Sequence, residues 1–270
     1  TTIRQGKSSV IVVEADESDG SFLFMRPTIA VITNIEADHL ENYDGDFNRL
    51  QQSFLDFIAA LPDHGVAILG IDCPVIRSLL PRITRPVLTF GFSSEADFRV
   101  IDFNIQGLKS QFNLGRPNGL APLSMTLAMP GQHNILNALA AVVIADLMAI
   151  PDDRLQKSLH CFPGMGRRFH PHGHIALSAG SAMLFEDYGH HPSAIAATLA
   201  MVKQAWPQRR IVLVFQPHRY SRTRDLIDEF VALLCDVDVL VLLEVYAASE
   251  TLIPEGSADT LYQALETARQ

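Results

Sequence analysis

Four stretches of this 270-residue chain concentrate side chains of the kinds that do chemistry. Glu14, Asp16, Glu17 and Asp19 crowd carboxylates into one short segment, which repel one another unless a cation or hydrogen-bond donors share the charge. A solvated acidic loop explains the same residues. Asn34, Glu36, Asp38 and His39 form a second polar group; carboxylate oxygen is an ordinary magnesium ligand, whereas the softer imidazole suits zinc or iron and a lone loop histidine often only caps. The third is DYGHHP, Asp187 to Pro192. Adjacent histidines do not share a face as an i, i+4 pair does, which disfavours a two-histidine metal site there, and an acid with Tyr188 and His190 suits recognition of a polar ligand. The fourth is QPHRYSRTRD, with His218, Arg219, Arg222 and Arg224. Arginine forks grip carboxylate or phosphate in two-pronged geometry, although a salt-bridge network with Asp225, Asp228 and Glu229 would use the same charges. Two further groups are Arg167 and Arg168 in PGMGRRF, and His133, Asn134 and Asn137 in GQHNILNALAA. The two asparagines, three apart, can face one ligand or cap a helix.

These residues need elements to hold them. Val10 to Val13 is a short β-branched run ending in the first acidic group, which predicts a buried strand, and Ile29 to Thr33 predicts a second ending at Asn34. Phe47, Leu50, Phe54, Phe57, Ile58 and Leu61 recur at helical spacing, and Val66 to Gly70 predicts a third strand; strand, crossover, strand is the pattern of a parallel sheet. From about Thr84 to Met129 alternation is local, which predicts short antiparallel strands at an edge. Gln132 to Met148 predicts an alanine-rich helix, and Pro151 opens another at its first turn. After the Pro and Gly hinge at 163–166, strands at Ala182 to Glu186, Ile211 to Phe215 and Val237 to Val245 alternate with helices from Pro192, Arg222 and Thr260. The expectation is an α/β protein: a central parallel-sheet, ATPase-like domain with antiparallel edge strands at 1–162, then an incomplete Rossmann-like α/β domain at 163–270. In such sheets ligands bind at the carboxyl ends of strands, where all four polar groups fall.

Composition narrows the function. With 48% hydrophobic residues the chain can bury a core, and its formal charge of −9 argues against a general nucleic-acid binder. Cys73, Cys161 and Cys235 have no CxxC spacing, so neither a zinc site nor a disulfide framework is expected, and a reducing cytoplasm suits them. No apolar run reaches the roughly 20 residues that cross a bilayer.

EADESDGSFL, ITNIEADHLENY, PGQHNILNALAA, GMGRRF, EDYGHHP and FQPHRYSRTRDL, in this order, resemble the Mur ligases, and the last two resemble the alanine-adding branch of that family. The resemblance covers about Val10 to Pro254. It implies an ATP-dependent amide-bond ligase of peptidoglycan precursor synthesis, which activates UDP-N-acetylmuramate as an acyl phosphate and joins it to L-alanine. It implies ATP and Mg2+ as cofactors, Glu14 and His39 as metal ligands, and His133, Asn134 and Asn137 around the adenine. Arg168 is then a phosphate contact, Asp187 a ribose contact, and Tyr188, His190, His218, Arg219 and Arg222 the amino-acid pocket. Glu14, His39, Arg168 and His190 would be the catalytic group. The family's phosphate loop is expected upstream of Ile11, since no GxxxxGK[ST] occurs in the chain, so the sequence reads as part of a longer enzyme, inactive alone. A murein-recycling ligase using a tripeptide, or a non-catalytic ligand-binding module, would share much of this pattern.

Overall fold

The computed structural model describes residues 6, 8–178 and 180–269; residues 1–5, 7, 179 and 270, which include the outer ends of both expected domain ranges, lie outside the described residues. In chain order the elements are β1 (Ile29–Ile32), α1 (Phe47–Ala59), β2 (Val66–Gly70), α2 (Pro74–Leu79), β3 (Val87–Gly91), β4 (Phe98–Gln106), β5 (Lys109–Gly115), β6 (Leu123–Leu127), α3 (Gln132–Leu147) and α4 (Asp152–His160). Then follow β7 (His170–Leu177), β8 (Gly180–Glu186), α5 (Pro192–Ala205), β9 (Val212–Phe215), α6 (Tyr220–Asp225), α7 (Ile227–Leu234), β10 (Val239–Leu242) and α8 (Ala258–Ala268). The chain divides into two compact units, the first Thr1–Asp102, Asn113–Ser124 and Leu136–Leu155, the second Phe103–Phe112, Met125–Ile135 and Gln156–Gln270.

Six strands form one sheet in the order β1-β2-β3-β4-β5-β6, and the β1/β2, β2/β3 and β3/β4 ladders are parallel. The apolar runs of β1 and β2 need two covered faces, and α1 supplies one cover. Asp46 caps that helix, its carboxylate accepting from the Asn48 N–H at 2.8 Å. Leu55, Phe57 and Ile58 of α1 then pack with Phe22, Ile32, Ala67 and Leu69. Each such side chain removed from water contributes roughly 1.5–3 kcal/mol.

Two expectations for this unit need correction. Val10 to Val13 joins no ladder among the described residues, and Val12 is 89% exposed, not buried. A β-branched run states a local preference, but a strand exists only when a neighbouring backbone takes its hydrogen bonds. β3 is a member of the parallel sheet, not an antiparallel edge strand, because α2 intervenes and returns the chain to the same direction. That helix was not legible as periodicity; its marker is Pro74 at the first turn.

In the second unit β7 and β8 form an antiparallel hairpin with an irregularity between Pro171 and Gly173. Sequence reading placed only the second of these strands, and in a parallel sheet: HPHGHIAL is exposed along its length, so no alternation marks it. β9 and β10 are parallel, as expected, from Val212↔Val239 to Phe215↔Leu242. Their inner face packs Phe215 with Leu199, Phe230, Leu234, Leu261 and Leu265. The helix expected from Arg222 to Leu234 is broken at Leu226 into α6 and α7. Thr223 bonds back through its hydroxyl to the Arg219 carbonyl at 2.9 Å, a contact that competes with regular helix.

Close packing at the β1 and β2 strand ends is testable. A Cβ on Gly70 would lie 2.4 Å from the Thr33 carbonyl oxygen, whereas one on Gly115 would meet Ile101 at an ordinary 3.5 Å. Gly70→Ala is expected to lose about 1–3 kcal/mol in denaturant unfolding and Gly115→Ala to stay within about 1 kcal/mol of the parent.

Candidate functional site

Asp187 follows β8, and its carboxylate accepts two backbone N–H groups, from Phe169 at 2.8 Å and from Gly189 at 2.7 Å. The hinge is thereby tied to the strand end. Arg167 and Phe169 both adopt left-handed backbone, φ 60° and 46°, and the Tyr188 N–H donates to the Arg167 carbonyl at 2.7 Å. The Phe169 ring stacks on Phe185 at 4.3 Å, which locks the same junction from its apolar side. The Arg167 guanidinium lies 4.3 Å above the Tyr188 ring and pairs with Glu186 at 3.3 Å, so Arg167 is held within the hairpin while Arg168 stays exposed.

His133, at the start of α3, belongs to the same unit and feels Asp187 and Arg168. Burial depresses its pKa, with the Arg168 charge acting in the same direction and Asp187 opposing. The asparagines divide differently from expectation. Asn134 donates its amide to the Pro130 carbonyl at 2.6 Å, and Asn137 is exposed.

The second half of this site is a row of rings. Tyr188 meets His190 edge-on at 5.1 Å, His190 lies 5.5 Å from His218, and His218 stacks on Tyr246 at 5.3 Å. A cavity of about 1020 Å3 reaches Tyr188, His218 and Tyr246, far larger than one small amino acid, so polar groups and not volume must select a ligand there. Arg219 takes left-handed backbone, φ 72°, and its N–H donates to the Tyr246 carbonyl at 2.8 Å. Arg222 is 7% exposed and donates to the His218 carbonyl at 3.1 Å, so it braces the loop. Arg224 pairs with Asp225 at 2.7 Å, the structural alternative weighed for this cluster. Tyr246 and Glu250 were missed by sequence reading: nothing in EVYAASE marks them, and only the chain's return beside α6 brings them in.

The acidic segments of the first unit are ordered by their own backbones. Asp16 and Asp19 accept the N–H groups of Ser18 and Ser21 at 2.9 and 2.8 Å, and Tyr43 donates its hydroxyl to the Glu17 carbonyl. His39, left-handed at φ 55°, lies 3.6 Å from Asp38 and 3.7 Å from Glu41, and Glu14 is exposed. Among the described residues no three His, Cys, Asp or Glu side chains are arranged to hold a metal. Glu14 is an exposed carboxylate, the oxygen donor type that magnesium takes.

The chain thus combines a parallel-sheet unit bearing acidic loops with an α/β unit bearing arginines after its strands. The chain belongs to the Mur ligases: residues 2–145 match the Mur ligase middle domain and 167–270 the Mur ligase glutamate ligase domain. It is 54% identical over 254 residues to a UDP-N-acetylmuramate--L-alanine ligase of Coxiella burnetii (strain RSA 493 / Nine Mile phase I), covering 94% of this chain and 55% of that protein. The chain thus spans about half the length of the curated relatives it matches. Among solved structures it resembles UDP-N-acetylmuramate-alanine ligase MurC of Thermotoga maritima, with TM-score 0.72, 25% identity and coverage of 94% of this chain and 52% of that one. The fold is shared with Thermotoga maritima MurF ligase in complex with ADP, with TM-score 0.63, 18% identity and coverage of 86% and 50%. Among the described residues no helix is long and apolar enough to cross a membrane.

The depressed His133 pKa has a signed consequence. The unfolded chain takes a proton near the usual 6.5 that the folded chain refuses, so this contribution is fully favourable above 6.5 and is lost as pH falls toward the lower folded value. Thermal unfolding at pH 8 and pH 5.5 is therefore expected to show a larger acid-induced fall in Tm for the parent than for His133→Gln.

Proposed function

We propose that this chain supplies nucleotide and amino-acid binding to an ATP-dependent ligase that joins L-alanine to UDP-N-acetylmuramate in the cytoplasm, with a domain boundary at residues 162–163. The 54% identity to the Coxiella burnetii protein of that name carries the reading. The ring row and arginines after β8 and β9 support it, because alanine offers little beyond an amine, a methyl and a carboxylate.

ATP transfers its terminal phosphoryl group to the sugar acid's carboxylate, giving an acyl phosphate and ADP. The alanine amine then attacks the carbonyl carbon, phosphate leaves, the nitrogen loses a proton and an amide remains. His133, Asn134 and Asn137 border the adenine in this reading, Asp187 the ribose and Arg168 a phosphate. Arg219 grips the alanine carboxylate with Arg222 bracing the loop, and Tyr188, His190 and His218 orient the amine; lysine lacks the planar fork. Magnesium, held by Glu14 and His39 with water and phosphate oxygens, would neutralise charge developing on the transferred group.

Kinetics of a full-length ligase, made by completing this chain with the flanking segments of the Coxiella burnetii relative, test the pocket. Arg219→Ala is expected to raise the KM for alanine roughly ten- to a hundredfold, the loss of about 1.5–3 kcal/mol from one charge-assisted contact, with the KM for ATP and sugar acid unchanged. A rise in the KM for ATP alone would move these arginines to the nucleotide site.

The chain by itself contains no GxxxxGK[ST] cradle. Titration calorimetry with ATP and magnesium is accordingly expected to show binding weaker than micromolar, since backbone and lysine contacts to phosphate supply most of such affinity. Micromolar binding would contradict the nucleotide half of this reading.

A further inference from the structure

The arginine-bearing segment 217–222 cannot hold its shape alone. Arg219 sits at φ 72° and ψ 135°, where a residue with a Cβ stays only when its surroundings over-determine it. The loop after β10 supplies that determination. The Arg219 N–H donates to the Tyr246 carbonyl and the Tyr246 N–H to the Pro217 carbonyl, both at 2.8 Å, and His218 and Tyr246 form an isolated parallel bridge. Four residues further on, half-buried Glu250 reaches the start of α6. One carboxylate oxygen accepts the Ser221 N–H at 3.1 Å and the other the Ser221 hydroxyl at 2.5 Å. The turn that carries Glu250 back contains two more left-handed residues, Ala248 and Ser249, at φ 47° and 71°. Gly256 presses on the same helix: a Cβ there would fall 2.0 Å from the Tyr220 carbonyl oxygen.

Burial by itself would raise the Glu250 pKa, but hydrogen bonds from Ser221 and the Tyr220 backbone, with the Arg219 charge, outweigh it and hold the carboxyl below its ordinary range. The group is therefore an anion at neutral pH. Its partner Ser221 lies between Arg219 and Arg222 in the chain, and the donors it satisfies are that serine's hydroxyl and backbone N–H. An anion that satisfies backbone donors at a bend fixes the direction in which the flanking side chains leave the chain.

We infer that Glu250 is a positioning residue for amino-acid recognition, setting the backbone of Arg219 to Arg222 through Ser221 without touching the ligand. This rests on the reading of that segment as the alanine pocket. In the completed ligase, Glu250→Ala is expected to raise the KM for alanine tenfold or more, with kcat and the KM for ATP within twofold of the parent. The isosteric Glu250→Gln, which keeps one acceptor for Ser221, is expected to recover most of the alanine KM, and Ser221→Ala to shift it two- to fivefold. An alanine KM within twofold of the parent in Glu250→Ala would overturn the inference. So would a fall of kcat and Tm with a rise of all KM values in both Glu250 variants, which marks a merely structural carboxylate. Arg219→Ala separates the two levels: if it leaves the alanine KM unchanged, the pocket reading fails and takes the inference with it. If it raises that KM while Glu250→Ala does not, the inference alone fails.

Discussion

The carboxylate of Asp187 holds the second unit's chemistry in register. By accepting the Phe169 and Gly189 N–H groups it joins the hinge to the end of β8, and both partners sit where the backbone bends sharply. Gly189 leaves no room for a side chain, since a Cβ would fall 2.8 Å from that same carboxylate. Around this tie, Arg167 is spent on Glu186 and the Tyr188 ring, Arg168 stays exposed, and the imidazole of His133 is pushed toward its neutral form. Charged hydrogen bonds to backbone donors are strong enough to fix such a junction, and a network of this kind loses geometry as a whole when one member goes.

The same device recurs wherever the chain turns next to a candidate functional residue. His39, Arg167, Phe169 and Arg219 all occupy left-handed backbone at φ 55°, 60°, 46° and 72°. A non-glycine residue there costs on the order of 1–3 kcal/mol and persists only where neighbours impose it. At Arg219 the imposing neighbours are Tyr246 and Glu250, and at Phe169 they are Asp187 and the stacked Phe185 ring. Asp44, Asn118 and Ala149, away from the candidate site, share that conformation. The sheet carries the opposite character: β2 is buried along nearly its whole length, and none of β1, β2 and β3 holds such a residue.

The loop after β9 is braced from behind: Arg222 donates to the His218 carbonyl, and Arg219 is the less buried of the two arginines. Side chains held in place beforehand lose little freedom when a ligand binds.

How much of this was legible beforehand follows from the range of the forces involved. β1, β2, α1, α3 and α8 are written in local periodicity and caps, and Asp46, Ser257 and Pro74 mark helix starts in the chain itself. The polar groups at strand ends, and the family they belong to, were likewise carried by residue order alone. Tertiary structure decided the remainder. Val10 to Val13 has the composition of a strand but no backbone beside it among the described residues, and β7 lacks the composition but pairs along β8. Arg222 looks like a ligand-binding arginine until burial and His218 claim it, and Glu250 looks like loop polarity until α6 stands above it. Periodicity, caps and turn chemistry act over a few residues and are therefore fixed by sequence, whereas hydrogen bonds between strands, burial of a charge and the bracing of a bent loop join residues far apart in the chain, and exist only once the fold has closed.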